Sequence, residues 1–428
     1  MPSLGTYRRA TAAFVALGVV GGLAATPAYA DSPSPSAATR WTPMGIAAAA
    51  ECAIPSTNVV SVPWALQRVV LSQLWAPHKP QSTATTTGAG VTVAVIDTGV
   101  DNTNPQLAGK VIDGGSSLVD QSTGQAVPGN GTTDTVGHGT KVAGIIAARV
   151  YDKTGFVGLA PDANIFSIRQ NDAQGNGSVQ KLTDAVNEAV DHNVQVINIS
   201  QDVRGTDDTG QGFVGKADLQ KALTRAENAG IVVVASSGND GLEGATYPAA
   251  FDTVLAVGAS DRNNERASFS QYGDFVGVAA PGVDMLSTAP ILGQCVDNGT
   301  SFSSPYVAGV AALLKGEHPD WTAKQVRARI EQTAQRTQRG WNKFTGWGVV
   351  DPVKAVQWVD NPPDTAHDDP PVQLDSARIV AQPLGLAETQ ADRDRRSAMY
   401  VMALGALLVA GLAGGSVVLR DRRRRDEA

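Results

Sequence analysis

Val91-Thr92-Val93-Ala94-Val95-Ile96-Asp97-Thr98-Gly99 begins as an apolar run and breaks off at a carboxylate, a hydroxyl and a glycine. An apolar run from Val91 to Ile96, without polar alternation, marks a strand covered on both faces, as parallel strands between helices are. Asp97 then stands at the carboxyl edge of a sheet, where open α/β sheets build their sites. The plainer alternative is an Asp that starts a turn. Outward from this strand, Asn164–Ile168, Val194–Ile199, Ile231–Ala235 and Thr253–Val257 read as further short strands. Between them Leu182, Ala185, Val186, Ala189 and Val190 recur at helical spacing. So do Leu219, Ala222, Leu223 and Ala226, with Gly230 as a stop. Ser301–Lys315 and Thr322–Ala334 read as helices as well. No internal repeat is visible. The alternation predicts an α/β domain with a mainly parallel sheet and helices on both faces.

The 428 residues allow one large domain or two ordinary ones, and 42% apolar against 18% charged residues argues for a packed core rather than disorder. A net charge of −7 argues against a nucleic-acid binder. The ends differ from the middle. Arg8 and Arg9, an apolar run over 10–25 and Ala28-Tyr29-Ala30 read as a secretory signal over 1–30 with a small-x-small cleavage site. A membrane-retained anchor is the alternative. Ala398 to Leu419 carries no charge, is long enough as a helix to cross a bilayer, and is followed by Arg420, Arg422, Arg423, Arg424 and Arg425. That arginine tail, 420–428, predicts a cytoplasmic C-terminus and an extracytoplasmic domain. Arg393, Arg395 and Arg396 on the other flank weaken the asymmetry, although Asp392 and Asp394 sit among them. A buried core helix fits this length and position poorly.

Between the ends, 31–60 is an extension that starts Ser/Pro-rich. A domain follows over 61–357, opening on a short helix with Trp64, Val69, Leu71 and Trp75 available to pack. A Pro/Asp-rich linker follows over 358–397. The extension is too short to build its own core, so it is expected to wrap the domain as irregular chain; a short inhibitory pro-peptide is the alternative. The chain has two cysteines, Cys52 and Cys295. In an exported chain an even count suggests one disulfide, which here would pin the extension near residue 301; two unpaired thiols remain the alternative. No spacing supports a zinc site.

Two more segments join Asp97. In Gly137-His138-Gly139-Thr140 a histidine flanked by glycines opens the apolar helix that continues through Val142 to Ala147. Imidazole is suited to proton transfer near neutral pH, and the glycines let other groups approach it. In Asn298-Gly299-Thr300-Ser301-Phe302-Ser303-Ser304-Pro305 a serine stands at a helix N-terminus, whose unpaired N–H groups and positive dipole end suit a developing oxyanion. Each taken alone has an ordinary reading, a satisfied structural histidine or a serine N-cap.

Taken together, Asp97, His138 and Ser301, in this order and with these flanks, resemble the subtilisin-like serine proteases. The resemblance runs from about Ser61 to Val356. It takes in Ser236-Ser237-Gly238-Asn239, Gly158-Leu159-Ala160-Pro161 and Gly346-Trp347-Gly348. It implies Ser301 as nucleophile, His138 as general base and acid, Asp97 as the group that orients His138, and Asn239 as an oxyanion donor beside the Ser301 N–H. It also implies a substrate cleft along Ser200, Asp202, Ser237 and Gly238. One departure falls there. Ser200 is followed by Gln201 and Asp202, where the family has a glycine that lets substrate backbone lie close. Asp202 either narrows the cleft, favours basic residues in the substrate, or points to solvent. No cofactor is implied. Many members bind structural calcium, but Asp152, the one candidate ligand, has no acidic cluster around it, so no metal site is claimed.

The whole arrangement is similar to the mycosins, membrane-anchored proteases of actinobacterial type VII secretion systems. It shares their signal, cysteine-bearing extension, catalytic domain, Pro-rich linker, membrane helix and Arg tail. Ser301 through Val310, and Ile197-Asn198-Ile199-Ser200 without a following glycine, add to the likeness. Four cysteines are common in that group, and two here leave the disulfide arrangement open. The resemblance implies a membrane-anchored serine endopeptidase acting on exported proteins, with the membrane and a type VII secretion complex as partners. A structural subunit of such a complex, and a general degradative subtilase, are the rival readings. Gly411-x-x-x-Gly415 offers a weak helix-packing motif for the first rival.

Overall fold

A computed structural model describes residues 43–44, 52–77, 86–120, 123, 125–172, 176–204, 212–371 and 388–426. The expected signal segment and most of residues 31–51 lie outside the described residues. The chain divides into a large unit ending at Pro370 and a second from Pro371 onward.

Seven strands form the sheet of the large unit. They are β1 (Thr92–Asp97), β2 (Val111–Ser116), β3 (Asn164–Arg169), β4 (Val196–Ile199), β5 (Val232–Ser236), β6 (Val254–Ser260) and β7 (Val278–Pro281). Their spatial order is β7-β6-β5-β4-β1-β3-β2, and every neighbouring pair is parallel. Side chains of β1 point alternately to the two faces. Val93 and Val95 enter one core with α1 (His138–Ala147), α4 (Thr300–Glu317) and α5 (Ala323–Thr333). Ala94 and Ile96 enter the other with α2 (Val179–Asp191) and α3 (Lys216–Asn228). Two buried faces are why β1 reads as an unbroken apolar run.

The expected elements are present with ends displaced by a few residues. β2, with two glycines and an Asp at the sheet edge, and β7, a short Val-Ala-Ala-Pro run, were not expected. Nor was the antiparallel hairpin of β8 (Met285–Thr288) and β9 (Gln294–Asp297), which leads straight into α4. Short helices at Trp64–Gln67 and Leu71–Leu74 fix the start of the domain. Trp64 Nε1 donates to the Val283 carbonyl at 2.9 Å and Trp75 Nε1 to that of Leu159 at 2.9 Å.

Residues 52–62 lie on the domain as irregular chain: Gly155 N–H donates to the Val59 carbonyl at 3.0 Å. The start of the linker differs from expectation in not being a free tether. After α6 (Pro352–Gln357), Arg329 Nη1 donates to the Trp358 carbonyl at 2.6 Å. Arg336 Nη1 reaches Asp369 Oδ1 at 3.1 Å, and Asp369 N–H donates to the Arg339 carbonyl at 2.8 Å. Guanidinium groups on and after α5 thus hold this Pro/Asp-rich chain down. The second unit contains α7 (Gln390–Asp426), 37 residues long, whose 398–419 stretch is long and apolar enough to cross a membrane.

Candidate active site

β1 and β4 are neighbours, and the loops after their carboxyl ends start the site. Asp97 closes β1. Its Oδ1 lies 2.7 Å from His138 Nδ1, and both side chains are 1% exposed. The same oxygen accepts the Thr98 N–H at 2.7 Å, which fixes the carboxylate from its own backbone. His138 opens α1, and Gly139 is what lets it come so close. A Cβ on Gly139 would stand 2.1 Å from the Gly99 carbonyl oxygen and 3.1 Å from Asp97 Cβ. His138 Nε2, the nitrogen turned away from Asp97, is buried with no protein hydrogen bond.

A second carboxylate, not anticipated from the sequence, holds this corner together. Asp134 accepts N–H bonds from Val136 at 3.1 Å, Gly137 at 2.7 Å and Thr140 at 2.9 Å. It also accepts hydroxyl bonds from Thr98 at 2.9 Å and Thr140 at 2.5 Å. Burial pushes its pKa up, against the pull of these bonds. Thr98 Oγ1 in turn accepts the Gly139 N–H at 2.9 Å, so Asp134 ties the loop after Asp97 to the first turn of α1. Nothing in the sequence pattern singles out Asp134, which lies in the loop three residues before the Gly137 N-cap.

Ser301 is in the first turn of α4 and 2% exposed. Pro305 has no N–H, so it leaves the Ser301 carbonyl without its intrahelical donor. Ser200 supplies one: its Oγ donates to that carbonyl at 3.0 Å, lies 3.1 Å from Ser304 Oγ, and accepts from Asn198 Nδ2 at 2.9 Å. Ser301 Oγ donates to the Ser200 carbonyl at 3.2 Å. The Ser200 side chain is therefore buried against α4 and does not face a cleft. Ser237, likewise buried, uses its hydroxyl on the Gln271 carbonyl at 3.1 Å.

Asn239 follows β5. Its Oδ1 accepts from Thr300 N–H at 2.8 Å and Thr300 Oγ1 at 3.0 Å. With the oxygen so occupied, the Nδ2 hydrogens face away from α4 as donors. The Ser301 N–H, in a first helical turn, has no intrahelical acceptor either. Next to Asn239, Gly238 N–H donates to Thr300 Oγ1 at 3.3 Å. A Cβ on Gly238 would lie 3.2 Å from Thr246 Cγ2 and 3.4 Å from Asp202 Oδ2. Half-buried Asp202 is thus turned toward Gly238. The Phe302 ring lies 5.3 Å from that of His138 and joins α4 to α1. Beneath it Lys141 and Asp297 form a buried pair at 2.5 Å between α1 and β9.

Cys52 and Cys295 are joined as a disulfide, with Cα atoms 6.1 Å apart. Among the described residues no group of three or more His, Cys, Asp or Glu side chains is gathered as a metal ion would need, and Asp152 is exposed.

A serine at a helix N-terminus, a carboxylate-bound imidazole and two unspent donors on a parallel α/β sheet define a serine-hydrolase type of site. The chain belongs to the subtilase family, whose model (Peptidase_S8) matches residues 88–348. It is 39% identical over 290 residues to thermitase of Thermoactinomyces vulgaris, covering 67% of this chain and 97% of that protein. It is 39% identical over 298 residues to subtilisin Savinase of Lederbergia lenta, covering 69% and 99%. Among solved structures it is similar to MycP1 from the ESX-1 type VII secretion system, with 31% identity, 77% and 94% coverage and a TM-score of 0.63. It is also similar to the MycP3 protease of the ESX-3 type VII system, with 33% identity, 71% and 92% coverage and a TM-score of 0.60. The protein is a subtilisin-like serine endopeptidase with the mycosins as structural neighbours.

Proposed function

We propose that Ser301, His138 and Asp97 are the catalytic residues of this endopeptidase and that Asn239 completes its oxyanion site. The observation that carries this is the 2.7 Å contact between buried Asp97 and His138 Nδ1, which leaves Nε2 as the basic nitrogen. Rotation of Ser301 about χ1 releases Oγ from the Ser200 carbonyl. Oγ then attacks the peptide carbonyl while Nε2 takes its proton. The oxyanion receives hydrogen bonds from the Ser301 N–H and Asn239 Nδ2. His138 returns the proton to the leaving amine as the C–N bond breaks. A water molecule, deprotonated by the same nitrogen, then hydrolyses the acyl-enzyme. Loss of peptidase activity and of serine-directed phosphonate labelling in Ser301→Ala tests the assignment. A labelled Ala variant defeats it.

The 1–30 segment serves as the export signal, 398–419 as a single membrane anchor and 420–428 as a cytoplasmic tail. The catalytic unit then faces outward. The protease acts on proteins exported by a type VII secretion system, a reading supported by the likeness to MycP1 and MycP3 together with the apolar α7 helix. The same likeness favours a second role, as a subunit whose presence supports the secretion complex. Ser301→Ala separates the two: export continues with unprocessed substrates if the subunit role is independent, and stops if the cut itself is required. Immunoblots of cell and medium fractions read the outcome.

A further inference from the structure

Residues 52–59 form a strap that is part of the site's surroundings. Ser56 N–H donates to the Leu292 carbonyl at 3.0 Å, Ser56 Oγ to that of Gln294 at 2.8 Å, and Gln294 N–H to that of Thr57 at 3.0 Å. Val59 N–H donates to Gln294 Oε1 at 2.8 Å. The strap thus lies along the β8–β9 hairpin as irregular chain, and the Cys52–Cys295 bond closes its far end. It presses so close that a Cβ on Gly293 would stand 2.6 Å from both the Ser56 and Thr57 carbonyl oxygens.

This placement carries Ile54 beside Gly137, the residue before the proposed catalytic histidine. Ile54 Cδ1 is 3.6 Å, and Pro290 Cδ 3.1 Å, from where a Cβ on Gly137 would stand, one residue before His138. Ile54 is 41% exposed and Ile291, at the hairpin tip, 50%. Ile54, open to water, and Pro290 of the hairpin therefore border the turn that leads into His138. The opposite flank is formed by Asn239, Gly238 and Asp202. In the mechanism above Asn239 holds the acyl carbonyl, whereas His138 hands its proton to the leaving amine. The chain that departs passes the His138 flank.

We infer that Ile54, held by the disulfide-closed strap, is a specificity-determining residue that receives an apolar side chain within the first two residues after the cleaved bond. The inference rests on the proposed catalytic roles of Ser301 and His138, and deepens them by naming the substrate class. An extended peptide buries its leaving-side side chain against Ile54. A substrate whose leaving group is a simple arylamine does not.

The test uses the full chain and three substrates sharing one acyl-side sequence, chosen as one that the wild type cleaves in a peptide library. One is an anilide. Two are internally quenched peptides with Leu or Asp at the second position after the bond. Ile54→Ala and Ile54→Asp should leave kcat/KM for the anilide within about twofold. They should lower it about 5- to 10-fold for the Leu peptide, mainly through KM, as loss of one apolar contact does. With Ile54→Ala the Asp peptide should lose nothing. Cys52→Ala/Cys295→Ala should show the same selective loss with anilide turnover kept. Equal losses on anilide and Leu peptide, or no loss on either, overturn the inference. A wild type that cleaves no library peptide overturns the catalytic assignment instead, and the inference with it. Ile54 is exposed, so an unchanged melting temperature identifies a properly folded variant.

Discussion

Asp97 and His138 meet at 2.7 Å because a glycine beside the histidine removes the Cβ that would strike the Gly99 carbonyl. Gly139→Ala is expected to be inactive while still folding in part, with near-baseline kcat as the readout. Asn239→Ala should lower kcat by about 10²–10³-fold with little change in KM, a size known for this donor in subtilisin rather than obtained from this geometry. Ser200→Ala removes the donor that replaces the one Pro305 cannot supply. It should lower stability by about 1–2 kcal/mol in denaturant melts and slow kcat, since the Ser301 carbonyl loses its anchor. At this scale the sequence was most legible where a polar residue stands at the end of an element, as Asp97 closes β1 and His138 and Ser301 lie in the first turns of α1 and α4. It was least legible for Asp134 and Ser200. A buried carboxylate or hydroxyl looks, in one dimension, like any loop residue, and only the donors around it reveal its task.

Among the elements, α1 and β9 are joined by the buried pair of Lys141 and Asp297. Removing one partner strands a charge in the interior, so Lys141→Met should cost about 3–5 kcal/mol by chemical denaturation. Lys141→Met/Asp297→Leu should recover much of that loss, because no lone charge is left. On α5, burial raises the Glu331 pKa from 4.5 to about 7, only partly opposed by Arg327 and Arg336. The unfolded chain releases this proton near the lower value and the folded chain near the upper one. Between them the folded state binds more protons, so stability falls as pH rises from about 4.5 to 7. Glu331→Gln should therefore match the wild type below that window and exceed it by about 1–2 kcal/mol at pH 8, given the residue's partial contact with solvent. The helices and central strands were readable from periodicity because their faces are buried. The edge strand β2 and the hairpin escaped notice, since one is glycine-rich and half-exposed and the other is a two-stranded flap defined by pairing rather than by pattern.

For the whole molecule, truncation before Ala398 should yield a soluble chain that still hydrolyses peptides, checked by fractionation and activity on one sample, since the site lies wholly within the large unit. What the sequence did not disclose at this level was how far the domain reaches. The stretch up to Pro370 adheres to it through the Arg329 and Arg336 guanidinium groups and one backbone bond, which composition does not encode. The sheet itself has a temporal consequence. Each of its neighbouring pairs is parallel, and β1, first in the chain, ends up in the middle beside strands that arrive much later. Every such pairing closes a long loop before its contacts can repay the lost entropy, which makes the barrier to assembly high. At a given stability, a fold that is slow to form is also slow to come apart, because the two rates are tied by the equilibrium constant. For an enzyme surrounded by identical copies of itself, survival is then set by how seldom a neighbour opens far enough to be cut, a matter of rates more than of equilibrium.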